Sequence, residues 1–136
     1  MYDKGVRRYY VGSEQGVDMW AGEIIAEMKK RPKYQDIELI GVIPFERYND
    51  EWNDYICDRF AKIRSVCNEI KVINSSPYLK VFIKRNKYMA DNSDYIIAVY
   101  DKERKLRSGT GQTVNYAKKK KKEIIYIHPD TAAISY

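Results

Sequence analysis

Short apolar runs alternate along the chain with longer stretches in which apolar residues recur every three or four positions, the pattern of strands and helices taken in turn. Residues 7–11 read as a short strand, followed by a loop bounded by Gly12 and Gly16. Val17, Trp20, Ala21, Ile24, Ile25 and Met28 then fall at helical spacing and predict an amphipathic helix, with Trp20 packing beneath a sheet. Residues 37–43 form the second predicted strand, stopped by Pro44. Trp52, Tyr55, Ile56, Phe60, Ile63 and Val66 or Cys67 mark a second helix, with Asn49 and Asp50 as cap candidates. A third strand covers residues 69–73 and ends in Asn74, Ser75, Ser76 and Pro77. A third helix is expected over about residues 79–91, with Phe82, Arg85, Tyr88 and Met89 on one face. Residues 94–100 are nearly continuously apolar, which predicts burial on both faces, as in a parallel sheet. A charged loop over 101–107 leads to a fourth helix opened by Ser108, Gly109, Thr110 and Gly111. The last strand covers 123–127, and the remainder reads as a tail.

Five strands alternating with four helices predict an α/β domain of three layers, with a mostly parallel sheet of about five strands and right-handed crossovers. At 136 residues the chain has the length of a single domain, read here as spanning 1–136, and can bury a core without staples. No apolar run is long enough to span a membrane, and the start does not read as a signal peptide. Cys57 and Cys67 fall on one predicted helix and fit no metal spacing, so free thiols in a reducing, cytoplasmic setting are expected. With one His and two Cys, a structural metal site is not expected. The formal net charge is +6, and the lysine run 118–122 supplies five of it, leaving the rest of the surface nearly balanced. Such a run at a helix end suits the helix dipole; a nucleic-acid patch is the competing reading.

In open α/β sheets a ligand lies beyond the carboxyl ends of the strands. The unusual loops all fall there: Gly12 to Gly16, Pro44 with Phe45 and Glu46, Asn74 to Pro77, Asp101, and Ser108 to Thr113. Glycines let a ligand approach bare backbone, and the free N–H groups at a helix start favour an anion. A plain strand-to-helix turn would use the same glycines. Two such loops, each opening a helix, suggest two anion subsites and hence a phosphate-bearing ligand. Local readings stand beside the functional ones: Asp18 as a first-turn acid, Arg85 as an ion-pair partner of Asp91 or Asp94, Asp101 as a turn starter, and His128 as an exposed loop residue.

The segment Gly12-Ser13-Glu14-Gln15-Gly16-Val17-Asp18-Met19-Trp20-Ala21 resembles the Gly-Gly-Ala-x-Gly-Val-Asp-x-Trp-Ala signature of the YpsA-like branch of the SLOG superfamily. Pro44-Phe45-Glu46 is similar to that branch's Pro-Phe motif. Arg85-Asn86-Lys87-Tyr88-Met89-Ala90-Asp91-Asn92-Ser93-Asp94 resembles its Arg-Asn-x-Tyr-Met-x-Asp-x-Ser-Asp block, and residues 97–101 and 108–117 resemble its last two motifs. The resemblance implies a Rossmann-like sheet and a pocket for nucleotide-derived ligands, including ADP-ribose and cyclic ADP-ribose types sensed in bacterial and phage-defence settings. By position it implies that Gly12, Ser13 and Gly16, and Ser108, Gly109 and Thr110 with Gly111, hold phosphates. Asp18 and Glu23 would cap the first loop or reach ligand hydroxyls. Arg85 and Asn86 would face the pocket, Asp101 would lie at its mouth, and Glu14, Pro44 and Phe45 would belong to the surrounding loops.

Two departures from the pattern bear on function. The superfamily's opening strand with its Thr-Gly-His-Arg motif has no counterpart before residue 7, so a partner chain is expected to complete the sheet. The related LOG phosphoribohydrolases carry a catalytic Glu three residues after the Gly-Thr pair, and that position is Thr113. The expectation is therefore a non-catalytic sensor or ligand sink for a nucleotide-derived molecule, with no cofactor and a homo-oligomeric state such as a dimer. Two alternatives stand beside it. One is a hydrolase of nucleotide N-glycosidic or phosphate bonds, in which Glu14, Glu23 or Asp101 would supply the carboxylate. The other is a nucleic-acid-binding module working through the lysine run.

Overall fold

The computed structural model describes residues 1–136 except 13, 76, 78, 79 and 104–108. The chain divides into two compact units, Met1–Val81 and Phe82–Tyr136.

The first unit is built on a parallel three-stranded sheet of order β1-β2-β3, from β1 (Arg8–Val11), β2 (Glu38–Ile43) and β3 (Glu69–Val72). Val11 pairs with Gly41 and Ile43 with Val72, so the loops leaving all three strands lie at the same end of the sheet. β2 is the middle strand and is buried at every residue after Glu38, the continuous burial expected of a parallel strand covered on both faces. The helices of this unit are α1 (Val17–Lys29) and α2 (Asp54–Val66). Val11, Met19, Ile25, Ile37, Leu39, Ile43, Phe60 and Ile63 form one core cluster. A 3-10 turn over Tyr2–Lys4 is held to a second one over Pro32–Tyr34 by the edge-on contact of Tyr2 and Tyr34, with ring centroids 4.8 Å apart. Tyr2 also donates to Asp36, which in turn accepts from Arg7, each at 2.8 Å.

The second unit carries α3 (Val81–Asp91, entered from the end of the first unit), β4 (Tyr95–Val99), α4 (Gly109–Lys119), β5 (Glu123–Ile127) and β6 (Ile134–Ser135). β4 and β5 are parallel and β6 runs antiparallel to β5. Ala98, Val114 and Tyr126 form its core, with Tyr100 and Ile124 packed against them.

The α/β class, with parallel strands and intervening helices, is the expected one, but the strands form two sheets of three in place of one sheet of about five. Four local expectations are corrected. The tail contains a two-residue strand, too short to produce a periodic signal. The cap of α2 is Asn53, whose side chain accepts from the Ile56 N–H at 2.9 Å; Asn49 and Asp50 lie in the turn before it, and Cys67 follows the helix as its C-cap. β4 is not buried on both faces: Ile97 is 52% exposed. Finally, α1 buries Met19, Gly22 and Ile25, while Trp20 and Ile24 are 58% and 62% exposed. At 100° per residue the two triplets Met19, Gly22, Ile25 and Val17, Trp20, Ile24 lie on opposite faces of the helix. Trp20 therefore does not pack beneath the sheet.

Candidate functional site

In the first unit the chain leaves β1 at Val11, passes through buried Gly12 and enters α1 at Gly16. Gly16 has φ 86° and ψ −124°, a backbone shape that an L side chain rarely adopts. A Cβ placed there would meet nothing within 4 Å, so the requirement for glycine is conformational, and the backbone faces open space. No side chain caps α1 at Gly16, in contrast to α2, whose first turn is closed by Asn53. The start of a helix is the kind of place where an anion is favoured. Asp18, in the first turn, reaches back to accept from the Glu14 N–H at 3.4 Å and ties the loop to its own helix.

The remaining first-unit candidates have clear structural partners. Glu23 pairs with Arg59 on α2, accepting from both Nε and Nη2 of the guanidinium. This bond raises the Arg59 pKa above its ordinary value. Glu23 is thus engaged between helices, two turns from the Gly16 turn. Pro44 is fully buried, and its carbonyl accepts from the Asn74 N–H at 3.0 Å. Phe45 is half-buried and meets Tyr48 edge-on with ring centroids 6.4 Å apart; Tyr48 in turn packs on Trp52 and Phe60. Pro44 and Phe45 therefore build the wall at the carboxyl end of β2.

In the second unit Arg85 is 4% exposed, the one buried charged residue among those described. Its Nε and Nη2 both donate to Asn86 Oδ1, at 3.1 and 3.0 Å, and its guanidinium lies 5.4 Å from the Phe82 ring centre. The two α3 candidates are thus locked to each other. Asp91 takes the Tyr116 hydroxyl at 2.7 Å, which raises the Tyr116 pKa. Asp101 follows β4 and uses Oδ1 to accept from the Glu103 N–H at 3.0 Å, an Asx turn. Its Oδ2 lies 3.4 Å from His128 Nε2. His128 Nδ1 accepts from the Asp130 N–H at 3.1 Å, which leaves Nε2 as the protonated nitrogen facing Asp101. His128 is therefore a partner of a candidate site residue and no free loop histidine. Parallel pairing of Val99 with Ile127 brings the ends of β4 and β5 together, and that register is the signal that would have linked the two residues.

Gly109 and Thr110 open α4 and are exposed, whereas Gly111 is buried. A Cβ at Gly109 would meet nothing within 4 Å. Ser13 and Ser108, expected in the two loops, lie outside the described residues. Thr113 donates its hydroxyl to the Gly109 carbonyl at 2.9 Å, one turn back along α4. Among the described residues no group of three His, Cys, Asp or Glu side chains is placed to hold a metal ion, and no helix is long and apolar enough to cross a membrane. Cys57 and Cys67 are not disulfide-bonded, and burial raises the Cys67 thiol pKa.

The chain matches the family model described as the YspA SLOG family over residues 1–132. The chain belongs to this SLOG family. Its relatives include a UPF0398 protein of Staphylococcus epidermidis, 27% identical over 105 residues that cover 76% of this chain and 55% of that protein. A UPF0398 protein of Brevibacillus brevis is 30% identical over 95 residues, covering 68% and 50%, respectively. One of Bacillus cereus is 27% identical over 128 residues, covering 93% and 67%. The SLOG chain thus spans about half to two thirds of the length of these relatives.

Proposed function

We propose that this SLOG chain binds a nucleotide-derived, phosphate-bearing small molecule of ADP-ribose or cyclic ADP-ribose type. It holds that molecule without cleaving it, as a sensor or sink in a signalling or phage-defence setting. The observation that carries the reading is the start of α1. A strand-end glycine turn delivers a helix whose N-cap residue, Gly16, supplies no side-chain cap, whereas α2 is capped by Asn53. Helix-start amides with the dipole behind them favour phosphate over neutral groups. Gly109 and Thr110, which the resemblance assigns to a second phosphate loop, are exposed at the start of α4.

The reading of binding without cleavage is supported by what stands at the position of the LOG glutamate. Thr113 has no carboxylate, and its hydroxyl is turned to the helix backbone at Gly109. Of the three candidate substitutes, Glu23 pairs with Arg59 and Asp101 with Glu103 and His128, while Glu14, in the loop before α1, is the carboxylate that the hydrolase alternative would use. General acid–base work needs a carboxyl group within hydrogen-bond reach of the scissile atom or its water.

Incubation with ADP-ribose, cyclic ADP-ribose, NAD and ADP, followed by HPLC, tests this directly. The proposal expects a ligand retained by the protein and recovered intact. Recovery of ribose phosphate or free base from a retained nucleotide would move the reading to a hydrolase.

A further inference from the structure

His128 is the single histidine of the chain, and both of its ring nitrogens are engaged. Nδ1 accepts from the backbone N–H of Asp130 at 3.1 Å and of Thr131 at 3.4 Å. Nε2 faces Asp101 Oδ2 at 3.4 Å, across from the end of β5 to the loop after β4. The side chains of Asp101 and His128 are 14% and 34% exposed, so the pair is partly shielded from water. The imidazole closes the turn that carries the chain from β5 back to β6. The same turn holds Ala132 at φ 59°, a left-handed conformation that a residue with a Cβ rarely adopts. Main-chain bonds from the Ala132 N–H to the His128 carbonyl and from the His128 N–H to the Ala133 carbonyl, each 2.9 Å, complete it.

We propose that His128 is a proton-operated latch on this turn. A ring nitrogen that accepts from N–H groups carries no proton of its own, so the closed turn requires the neutral imidazole protonated on Nε2. A second proton would go to Nδ1, where it would meet two backbone donors. The turn then loses both bonds, while the Asp101 carboxylate holds the new positive charge. Protonation thus trades a hydrogen-bonded turn for an ion pair with Asp101, and the strained backbone at Ala132 favours release. Histidine is the side chain that changes charge between about pH 5 and 8. The segment 128–135 is closed above that change and loosened below it. Among the described residues, Asp130 adds a second carboxylate from the turn itself. Lys102, next to Asp101, lies with Nζ 4.7 Å from the Tyr126 ring centre and donates to the Tyr136 carbonyl at 3.4 Å, so it is turned to β5 and the residue after β6. Glu103 is exposed. The fourth helix packs on β4 and β5 and carries its lysines in its last turn, away from this end of the strands.

The test is NMR of the isotope-labelled full chain between about pH 5 and 8, beside His128→Asn and Asp101→Asn. With a single histidine, the ring signals report one site. Asn places an acceptor oxygen near the position of Nδ1 and does not titrate, so His128→Asn is expected to keep the turn closed at every pH. The proposal expects a ring protonated on Nε2 at the basic end. It expects the Asp130 and Thr131 amide signals to move with the titration of the ring, and their protection from exchange to fall about tenfold on the acid side. Asp101→Asn removes the counter-charge and is expected to move both transitions together to lower pH. The His128→Asn chain is expected to show no amide transition. A neutral ring protonated on Nδ1 overturns the proposal. So does a ring that titrates with no response from the two amides, or one that keeps a single charge state across the range. An amide transition that persists in His128→Asn, or one unmoved by Asp101→Asn, overturns it as well.

Discussion

A Cβ added to Gly22 would lie 2.9 Å from Cγ2 of Ile63 and 3.3 Å from its Cδ1, so the absence of a side chain at Gly22 sets how closely α1 approaches α2. Ile63 is buried in the first-unit core and branched at Cβ, so it has little freedom to turn away. Gly22→Ala would gain about 1 kcal/mol of helix propensity, but overpacking typically costs about 1–3 kcal/mol. The expected outcome in urea unfolding is a net loss of roughly 1 kcal/mol, partly recovered when Ile63→Leu removes the branch. A more stable Gly22→Ala protein would show that the helices can separate at no cost.

Glu23 and Arg59 bridge the same two helices beside that contact. The resemblance implies a place for Glu23 near the ligand, and in the structure its carboxylate pairs with Arg59. Glu23→Gln is expected to lower the melting temperature slightly, less so at high salt because the pair is partly solvated, and to leave nucleotide affinity unchanged. A selective loss of ligand affinity in this variant would return Glu23 to the binding site.

Acid and base act on opposite ends of the Tyr2–Asp36–Arg7 cluster. The hydrogen bond from Tyr2, assisted by Arg7, holds the Asp36 carboxyl below its ordinary value. Its stabilisation is therefore present above the unfolded carboxylate pKa, about 3.9, and lost as pH falls through the folded value. The same bond raises the Tyr2 pKa, so that contribution is present below about 10 and lost as pH rises through the folded value. The melting-temperature difference between wild type and Asp36→Asn should be flat at intermediate pH and shrink in acid. A difference that grows in acid would contradict the arrangement.

The lysine run is the remaining alternative seat of function. Residues 118–122 are mostly exposed at the end of α4. Replacing all five lysines by Gln is expected to leave nucleotide binding intact and to abolish any steep salt dependence of nucleic-acid retention. Loss of nucleotide binding in this variant would relocate the ligand to the α4 terminus.

The strand–helix alternation was legible because each element carries its own period, and β5 was readable to the residue. The face of α1 was not, since the helix is apolar on two opposite sides. Nothing in the local pattern marks Gly22 as the residue that admits Ile63. β6 is too short to carry a period, and the split into two sheets depends on pairing between distant strands, which no local pattern encodes. The glycine turn at Gly16 was visible in sequence as a loop-to-helix signal. The Asp101–His128 contact was not, because it depends on the register of β4 and β5.

The most direct test of phosphate-ligand binding is a thermal-shift titration of the full chain with ADP-ribose, run beside Gly16→Ala and Gly109→Asp. Ligand at 100 times its dissociation constant should stabilise the wild-type chain by about 2.7 kcal/mol. Gly109→Asp has space for its side chain and suits a helix start, so it is expected to fold while repelling phosphate. Gly16→Ala, forced to a positive φ, is expected to lose both stability and ligand. Stabilisation in the wild type that disappears in Gly109→Asp is the predicted result. No shift with ADP-ribose or any other nucleotide, or a shift that survives both substitutions, would contradict the account.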